Sequence, residues 1–396
     1  MRDIPRVVWI LAIGRFVNAA GSFLFTFLFL YLTGPRGLSL GHAGLVSGAL
    51  GVGLLAGNLT GGWFGDRFGH RRVMLLASTV SGLVTLAVPW TPDVLLVVAT
   101  AALGYAGATA GVSQGALTAL AVPAGDRRRA IAVGRAAFNA GCVIGPPLGA
   151  LLAVDHFTAL FVIDGLVILL VRTVTALLLR DEPAAAHRPA GDRPARLWRS
   201  LLADRALLTL LPAIVVVDVV YRQLYSTLPV YLRDHGQPMT LYATVVAVGS
   251  GLILLLEIPA TVLLRRLPAV GIIAVGYALV GVGMGLFGLG TGAALVIGAM
   301  VVLTAGEILY KTTATAHVLD RAPADLTGQY QGLYTGAATS GTMLAAPLGA
   351  LLYGAAPAAL WPVCCVLAVG AGALAWRSGR SERARGLAPV AATPGA

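Results

Sequence analysis

The chain has 396 residues, 57% of them hydrophobic and 11% charged, with a net charge of +11. Soluble domains carry about a quarter charged residues, so this composition excludes an ordinary water-soluble fold and makes the bilayer the natural solvent. The arginines sit in short breaks between apolar runs, which is a membrane-topology pattern and not a nucleic-acid one; three cysteines, two of them adjacent, imply no disulfide framework.

An apolar stretch of about 20 residues crosses a bilayer as a helix, and in lipid every span has to be helical. The first stretch, after a basic start at "MRDIPR", is too long for a cleaved leader and reads as a retained span carrying Arg15 and Asn18. Breaks follow at 33–42, 65–72, 89–93, 123–129 and 154–157, then at 180–200, 233–239, 265–269, 288–292, 320–325 and 354–359. These eleven breaks predict twelve spans. The second break is "GGWFGDRFGHRR", residues 61–72. The fourth span carries Tyr105 and Gln114. The fifth holds "GCVIGPPLG", where Gly141, Gly145 and Gly149 share a face suited to close helix packing and Pro146 removes a backbone hydrogen bond.

Between the sixth and seventh spans lies the longest connection, polar and with three prolines. The expected organisation is therefore a first six-helix bundle over 1–180, a linker over 181–204, a second bundle over 205–380 and a disordered tail over 381–396. Of 28 cationic residues, 27 are Arg and one is Lys311. The N-terminus, the even-numbered connections and the tail hold 21 of them, and the odd-numbered connections hold only Arg36 and Arg233. That asymmetry predicts both termini on the cytoplasmic side of a multi-pass protein of the cell membrane.

Acidic groups inside spans are costly and are functional candidates by default. There are four: Asp164, Asp218, Glu257 and Glu307. Two are followed four residues later by a cation on the same helix face, Asp218 by Arg222 and Glu307 by Lys311. Each pair reads either as mutual neutralisation or as a carboxylate that exchanges a proton while the cation tunes it.

The chain also repeats itself. Residues 123–152 align without a gap to 323–352, with ten of thirty positions identical, and the same 200-residue offset aligns 27–33 with 227–233. Two equivalent halves in parallel repeat are a transporter architecture. By this offset Glu307 corresponds to Gly107 and Asp218 to Asn18.

The loop at 61–72, with Gly62, Asp66, Arg67, Gly69, Arg71 and Arg72, resembles the loop after the second span of the major facilitator superfamily, and with the repeat and span count the resemblance covers nearly the whole chain. It implies an all-α integral membrane protein of twelve transmembrane helices in two pseudo-symmetric six-helix bundles. The loop would act as a cytoplasmic latch, with Asp66 meeting the start of the eleventh span near Leu326–Gln329. The fifth-span motif of Gly141, Gly145, Pro146 and Gly149 resembles that of the superfamily's drug/proton antiporters, with Ala132 and Ala150 standing where the fuller motif has glycines. The tenth span, beginning "GEILYK", resembles theirs in its glutamate after glycine.

In this family the first, fourth, seventh and tenth spans line the cavity. That makes Arg15, Asn18, Tyr105, Gln114, Tyr221, Gln223, Tyr225 and Tyr310 its candidate lining. Glu307 and Asp218 would carry protons, with Lys311 and Arg222 as tuning cations. His317 falls near a span end and reads as a surface residue. The expected function is proton-coupled export of small amphipathic or hydrophobic compounds by alternating access, driven by a proton gradient without a cofactor or metal. A proton-coupled importer of a nutrient, or a non-transporting receptor or scaffold, are the alternatives. No nucleotide-binding, hydrolase or zinc-protease motif is present, so an enzyme is not expected. The implied partners are a small-molecule substrate, protons and lipid, with a monomer sufficing and no nucleic acid.

Overall fold

The structure is a computed structural model that describes residues 4–22, 28, 31–153, 157–179, 193–323 and 325–384. The expectations for 181–192 of the linker and for the tail beyond 384 lie outside these residues. Among the described residues there is no strand. The helices are α1 (Arg6–Ala20), α2 (Leu40–Phe68), α3 (His70–Ala87), α4 (Asp93–Leu120), α5 (Arg127–Ala153) and α6 (Phe157–Leu178). There follow α7 (Arg193–Ala203), α8 (Arg205–Ser226), α9 (Leu228–Asp234), α10 (Met239–Leu263) and α11 (Ala269–Phe287). The last are α12 (Ala293–Asp320), α13 (Thr327–Ala355) and α14 (Leu360–Ala384). Nine of the described helices are long and apolar enough to cross a membrane: α2, α3, α4, α6, α8, α10, α11, α12 and α14. With α1, α5 and α13, which are shorter or more polar, they are consistent with the twelve-span order.

Several boundaries differ from the sequence reading, among them the tail, where α14 continues to Ala384 past the expected bundle end at 380. The second break shrinks to one residue: α2 runs through Asp66 to Phe68, and Gly69 alone turns the chain, at φ 92°. A side chain rarely adopts that backbone, so glycine is needed there. The linker is not wholly irregular either, because its last eleven residues before Asp204 form α7.

The chain divides into two compact units. Unit 1 comprises Met1–Pro123, Val133–Gly191 and Ala322–Gly336; unit 2 comprises Ala124–Ala132, Asp192–Arg321 and Ala337–Ala396. The boundary is therefore more than a cut at the linker. The start of α5 belongs to the unit formed mainly by the second half of the chain, and the start of α13 to the unit formed mainly by the first.

Within each unit, glycine lets helix backbones touch. In unit 1, a Cβ on Gly53, Gly57 or Gly61 of α2 would strike Ala101, Tyr105 or Thr109 of α4. Gly141 and Gly145 of α5 do the same against α1, where a Cβ would meet the carbonyl oxygens of Phe16 at 2.5 Å and Ala19 at 2.9 Å. Helix α5 continues through Pro146, and Gly149 is buried. In unit 2, a Cβ on Gly306 of α12 would lie 2.6 Å from the carbonyl of Gly276 on α11. Lipid supplies no hydrophobic drive between helices, so such close approach, with the dispersion attraction it brings, is what holds them.

One arginine closes the turn of unit 1 between α3 and α4. Arg36 donates to the Tyr31 hydroxyl at 3.0 Å and to Asp93 at 3.0 Å. It also donates to the carbonyls of Val88, Pro89 and Thr91 at 3.1, 3.1 and 2.6 Å. Removing it with Arg36→Ala leaves three carbonyls and a carboxylate to find water. The expected cost is about 1–3 kcal/mol, read as a lower midpoint of thermal unfolding in detergent, with Asp93→Asn milder because the carbonyl hydrogen bonds remain.

Candidate functional site

The candidate site lies in unit 2, on α8 and α12. Gly306 brings α12 against α11, and the next residue, Glu307, turns inward with 4% of its surface exposed. Asp218 on α8 is 1% exposed, and Gly341 of α13 packs close to its Cβ. Lys311 lies between the two carboxylates, its Nζ 3.7 Å from Glu307 Oε1 and 3.8 Å from Asp218 Oδ1. The ammonium also sits 4.2 Å from the centre of the Tyr221 ring. The Tyr221 hydroxyl donates to Glu307 Oε2 at 2.8 Å and lies 3.2 Å from the Tyr225 hydroxyl. Tyr310 is buried one turn from Glu307, with its ring edge-on to Tyr277 at 5.0 Å.

The two i,i+4 pairs read from the sequence thus resolve differently. Lys311 serves Glu307 on its own helix and Asp218 on another. Arg222 does not pair with Asp218; its guanidinium stacks over the Tyr225 ring at 5.8 Å. The reason is reach. Lys311 approaches both carboxylates from α12, whereas Arg222 points along α8 toward the tyrosine. Gln223 is spent on structure, since its amide donates to the Ala345 carbonyl at 2.8 Å and its oxygen accepts from Thr227 at 2.6 Å. Glu257 of α10 is fully buried and accepts a hydrogen bond from Thr312 of α12. His317 is half-buried, not a surface group.

The candidates from the first half of the chain lie in unit 1. Tyr105 accepts a hydrogen bond from Thr60 at 2.9 Å, and Gln114 donates to the Leu11 carbonyl at 3.0 Å, so both tie neighbouring helices together. Arg15 lies over the Phe138 ring at 5.9 Å. The buried Oδ1 of Asn18 has no hydrogen-bond partner among the described residues. Asp164 is buried in α6.

The loop motif is also in unit 1. Asp66 accepts from the amides of Gly328 at 2.8 Å and Gln329 at 2.9 Å, in the first turn of α13. Those amides have no partner within their own helix, and the positive end of the helix favours a carboxylate. Gly62 permits the approach, because a Cβ there would strike the Gly328 backbone. The arginines do other work. Arg71 caps the end of α6 by donating to the carbonyls of Leu179 and Ala176 at 2.9 and 2.8 Å. Arg67 stacks over Trp63 and Phe68, and Arg72 is exposed at the start of α3.

Sequence reasoning passed over His70, which occupies a variable position of the motif. Its Nε2 lies 3.1 Å from Asp66 Oδ1, and its ring fills the space that Gly65 and Gly328 leave open. It also passed over the clasp at the start of unit 2's first span. Asp204 caps α8 through the Leu207 amide and holds Arg321, at the end of α12, with two hydrogen bonds of 2.6 and 2.9 Å. Arg127, at the start of α5, donates to the Leu319 carbonyl and to Asp320.

Ionisable groups buried among membrane spans mark substrate or ion pathways, proton relays or ligand sites. The sequence model of the Major Facilitator Superfamily matches residues 11–347, and the chain belongs to that family. It is therefore a multi-pass membrane transporter of small molecules; the family is one of transporters and not of enzymes. It is 25% identical over 384 residues to the Na(+), Li(+), K(+)/H(+) antiporter of Planococcus maritimus, covering 87% of this chain and 89% of that one. It is 30% identical over 254 residues to the multidrug efflux pump Tap of Mycobacterium tuberculosis (strain ATCC 25618 / H37Rv), covering 59% and 61%. In fold it matches the crystal structure of the human organic anion transporter MFSD10 (TETRAN), with a TM-score of 0.75 at 17% identity, over 93% of this chain and 99% of that one.

Asp66→Asn would turn an amide NH2 group toward the α13 amides and cost about 1–3 kcal/mol there; amide hydrogen exchange at Gly328 and Gln329 should speed up while exchange at the Arg71 cap of α6 stays unchanged. Asp204 titrates outside the spans. Burial works against its charged form, but the Arg321 fork and the Leu207 amide prevail and hold its carboxyl below the ordinary value. A depressed native value means the clasp contributes in full above about pH 3.9, the unfolded reference. That contribution disappears as pH falls through the lower native value. Asp204→Asn should remove that part of the acid sensitivity of thermal unfolding.

Proposed function

We propose that the protein is a proton-coupled exporter of small amphipathic or hydrophobic compounds, working by alternating access in the cell membrane. On this reading it acts as a monomer, has both termini in the cytoplasm and needs no cofactor beyond the proton gradient. The observation that carries the reading is Lys311 shared by Asp218 and Glu307. One ammonium thus stands within ion-pair distance of two carboxylates carried on different helices. A proton on either carboxylate removes one charge from the site. A charge at a span centre costs about 2.5–3.5 kcal/mol on insertion scales, so a carboxylate here has reason to take up a proton when the site is closed off from water.

Glu307 is the carrier in this scheme. Its Oε2 is held by the Tyr221 hydroxyl and its Oε1 faces Lys311. When Lys311 moves toward Asp218, Glu307 keeps a proton; when Lys311 returns, the proton leaves. A cationic or strongly polarised compound that draws on Asp218 or on the Tyr221 ring would shift Lys311 and so exchange for the proton. The similarity to a multidrug efflux pump and to a cation/proton antiporter supports export against protons. The positive-inside asymmetry supports the orientation.

The test uses proteoliposomes with a pH-sensitive dye inside and ethidium as the probe compound. Glu307→Gln keeps the side chain's shape and removes its proton site. Ethidium-driven proton movement should fall about tenfold or more, while ethidium binding and ethidium–ethidium exchange persist. If the mutant moves protons as the wild type does, Glu307 and Lys311 form a structural pair, and Asp218→Asn becomes the next comparison.

A further inference from the structure

We infer that α7 is a membrane-surface helix that docks one shoulder into the anionic headgroup layer on its side of the bilayer. This goes beyond transport chemistry and rests only on the chain being a membrane protein. Successive residues of a helix are about 100° apart. Leu197 and Leu201 therefore form one ridge, and Trp198 and Leu202 form a second beside it. Leu201 is buried within unit 2 and Leu197 is half-buried. Trp198 and Leu202 are 58% and 64% exposed, and Arg199 is exposed at the edge of their ridge. The apolar arc is thus wider than the part the protein covers. A single exposed leucine needs no explanation, but a Trp–Leu ridge flanked by arginine is the composition of an interfacial helix.

Position selects the occupant. Asp204, the residue after α7, caps α8 and is locked to Arg321 at the end of α12. The apolar run of the span begins at Leu207, so Leu202 is five residues from chain that enters the bilayer. The end of α7 is thus held at the depth where spans emerge, and the nearest apolar medium for the uncovered ridge is the acyl boundary of the same membrane. Charge selects the lipid. The stretch 193–205 contains Arg193, Arg196, Arg199 and Arg205 against the single Asp204, which is already paired. A stretch of thirteen residues with four arginines around Trp198 in sequence, Arg199 of them exposed next to the ridge, fits phosphatidylglycerol or another anionic headgroup better than a zwitterionic one.

The experiment places a nitroxide on the full-length protein in bilayers. Cys142, Cys364 and Cys365 are free thiols and are first replaced by alanine. A label is then attached through Leu202→Cys and, as a control on another face of the same helix, through Ser200→Cys. Collision with oxygen reports lipid, and collision with a water-soluble nickel chelate reports solvent. With phosphatidylglycerol present, the label at 202 should be oxygen-accessible and nickel-shielded, and the label at 200 nickel-accessible. In pure phosphatidylcholine, or with Arg199→Gln, the ratio of docked to undocked helix should fall about fivefold for each arginine that no longer meets an anionic headgroup. Nickel access at 202 in phosphatidylglycerol bilayers would overturn the inference in favour of a solvated or protein-covered face. Equal shielding at 202 with and without phosphatidylglycerol would overturn the headgroup recognition. Both labelled sites are exposed or half-buried, and a single symmetric gel-filtration peak confirms that each variant is folded.

Discussion

Charge inside a bilayer has to be compensated by the protein itself, because no water is there to do it. The charge cluster of unit 2 shows how. Lys311 is tolerable because two carboxylates and an aromatic face surround it, and each carboxylate because Lys311 is near. The arrangement differs from a closed ion pair in one respect. A simple pair joins one cation to one anion, whereas here one cation is shared by two anions on different helices, so a shift of that cation changes the surroundings of both. At the ends of the helices the same constraint gives static solutions. Arg36 and Arg71 collect stranded carbonyls, and Asp66 collects stranded amides.

Glycine sets the geometry in which that compensation works. A charge-sharing distance of 3.8 Å between groups on two helices requires the helices to be in register and close. Gly306 lets α12 meet α11 one residue before Glu307, and Gly341 lets α13 approach beside Asp218. The same residue type makes room for the Asp66 carboxylate at Gly62 and Gly328. Polar chemistry and small-residue packing are therefore not separate layers of the structure. A bulkier residue at Gly306 would push α12 off α11 and carry Glu307 and Lys311 together relative to Asp218 and Tyr221 on α8.

Much of this was legible in the sequence, and the parts that were not share a cause. Twelve spans could be read because apolar runs and breaks are local properties of the chain. Asp66 stood out because a carboxylate flanked by glycines in an arginine loop is a local pattern. Asp218, Glu307 and Lys311 stood out because charges in apolar runs are rare. What stayed hidden depends on neighbours across helices. Spacing of four suggested that Arg222 would pair with Asp218, yet a cation on another helix reaches that carboxylate instead. Nothing local marks His70, which falls at an open position of the motif, yet its ring occupies the slot of Gly65 and Gly328. Arg36 counted only toward the charge asymmetry, yet Asp93 and three carbonyls lie around it. The glycines at 53, 57 and 61 were visible as a four-residue spacing and could have been read as a packing face.

The internal repeat shows how the duplicated scaffold became specialised. The 200-residue offset carries Asp218 to Asn18, Tyr221 to Gly21, Glu307 to Gly107 and Lys311 to Gly111. Each of these four members of the charge cluster thus meets, in unit 1, a residue that bears no charge, and three of the four are glycine. Space is left open at two of them: a Cβ at Gly111 would meet nothing within 4 Å, and one at Gly107 only the Ser81 hydroxyl at 3.9 Å. Packing alone does not demand glycine at such positions, in contrast to Gly53 or Gly57, where backbones collide. One copy of the duplicated architecture has concentrated ionisable groups, and the other has cleared the equivalent positions of charge and much of their bulk. The two copies of the repeat have thus diverged at the positions of the charge cluster, with ionisable side chains kept in one and small, uncharged residues in the other.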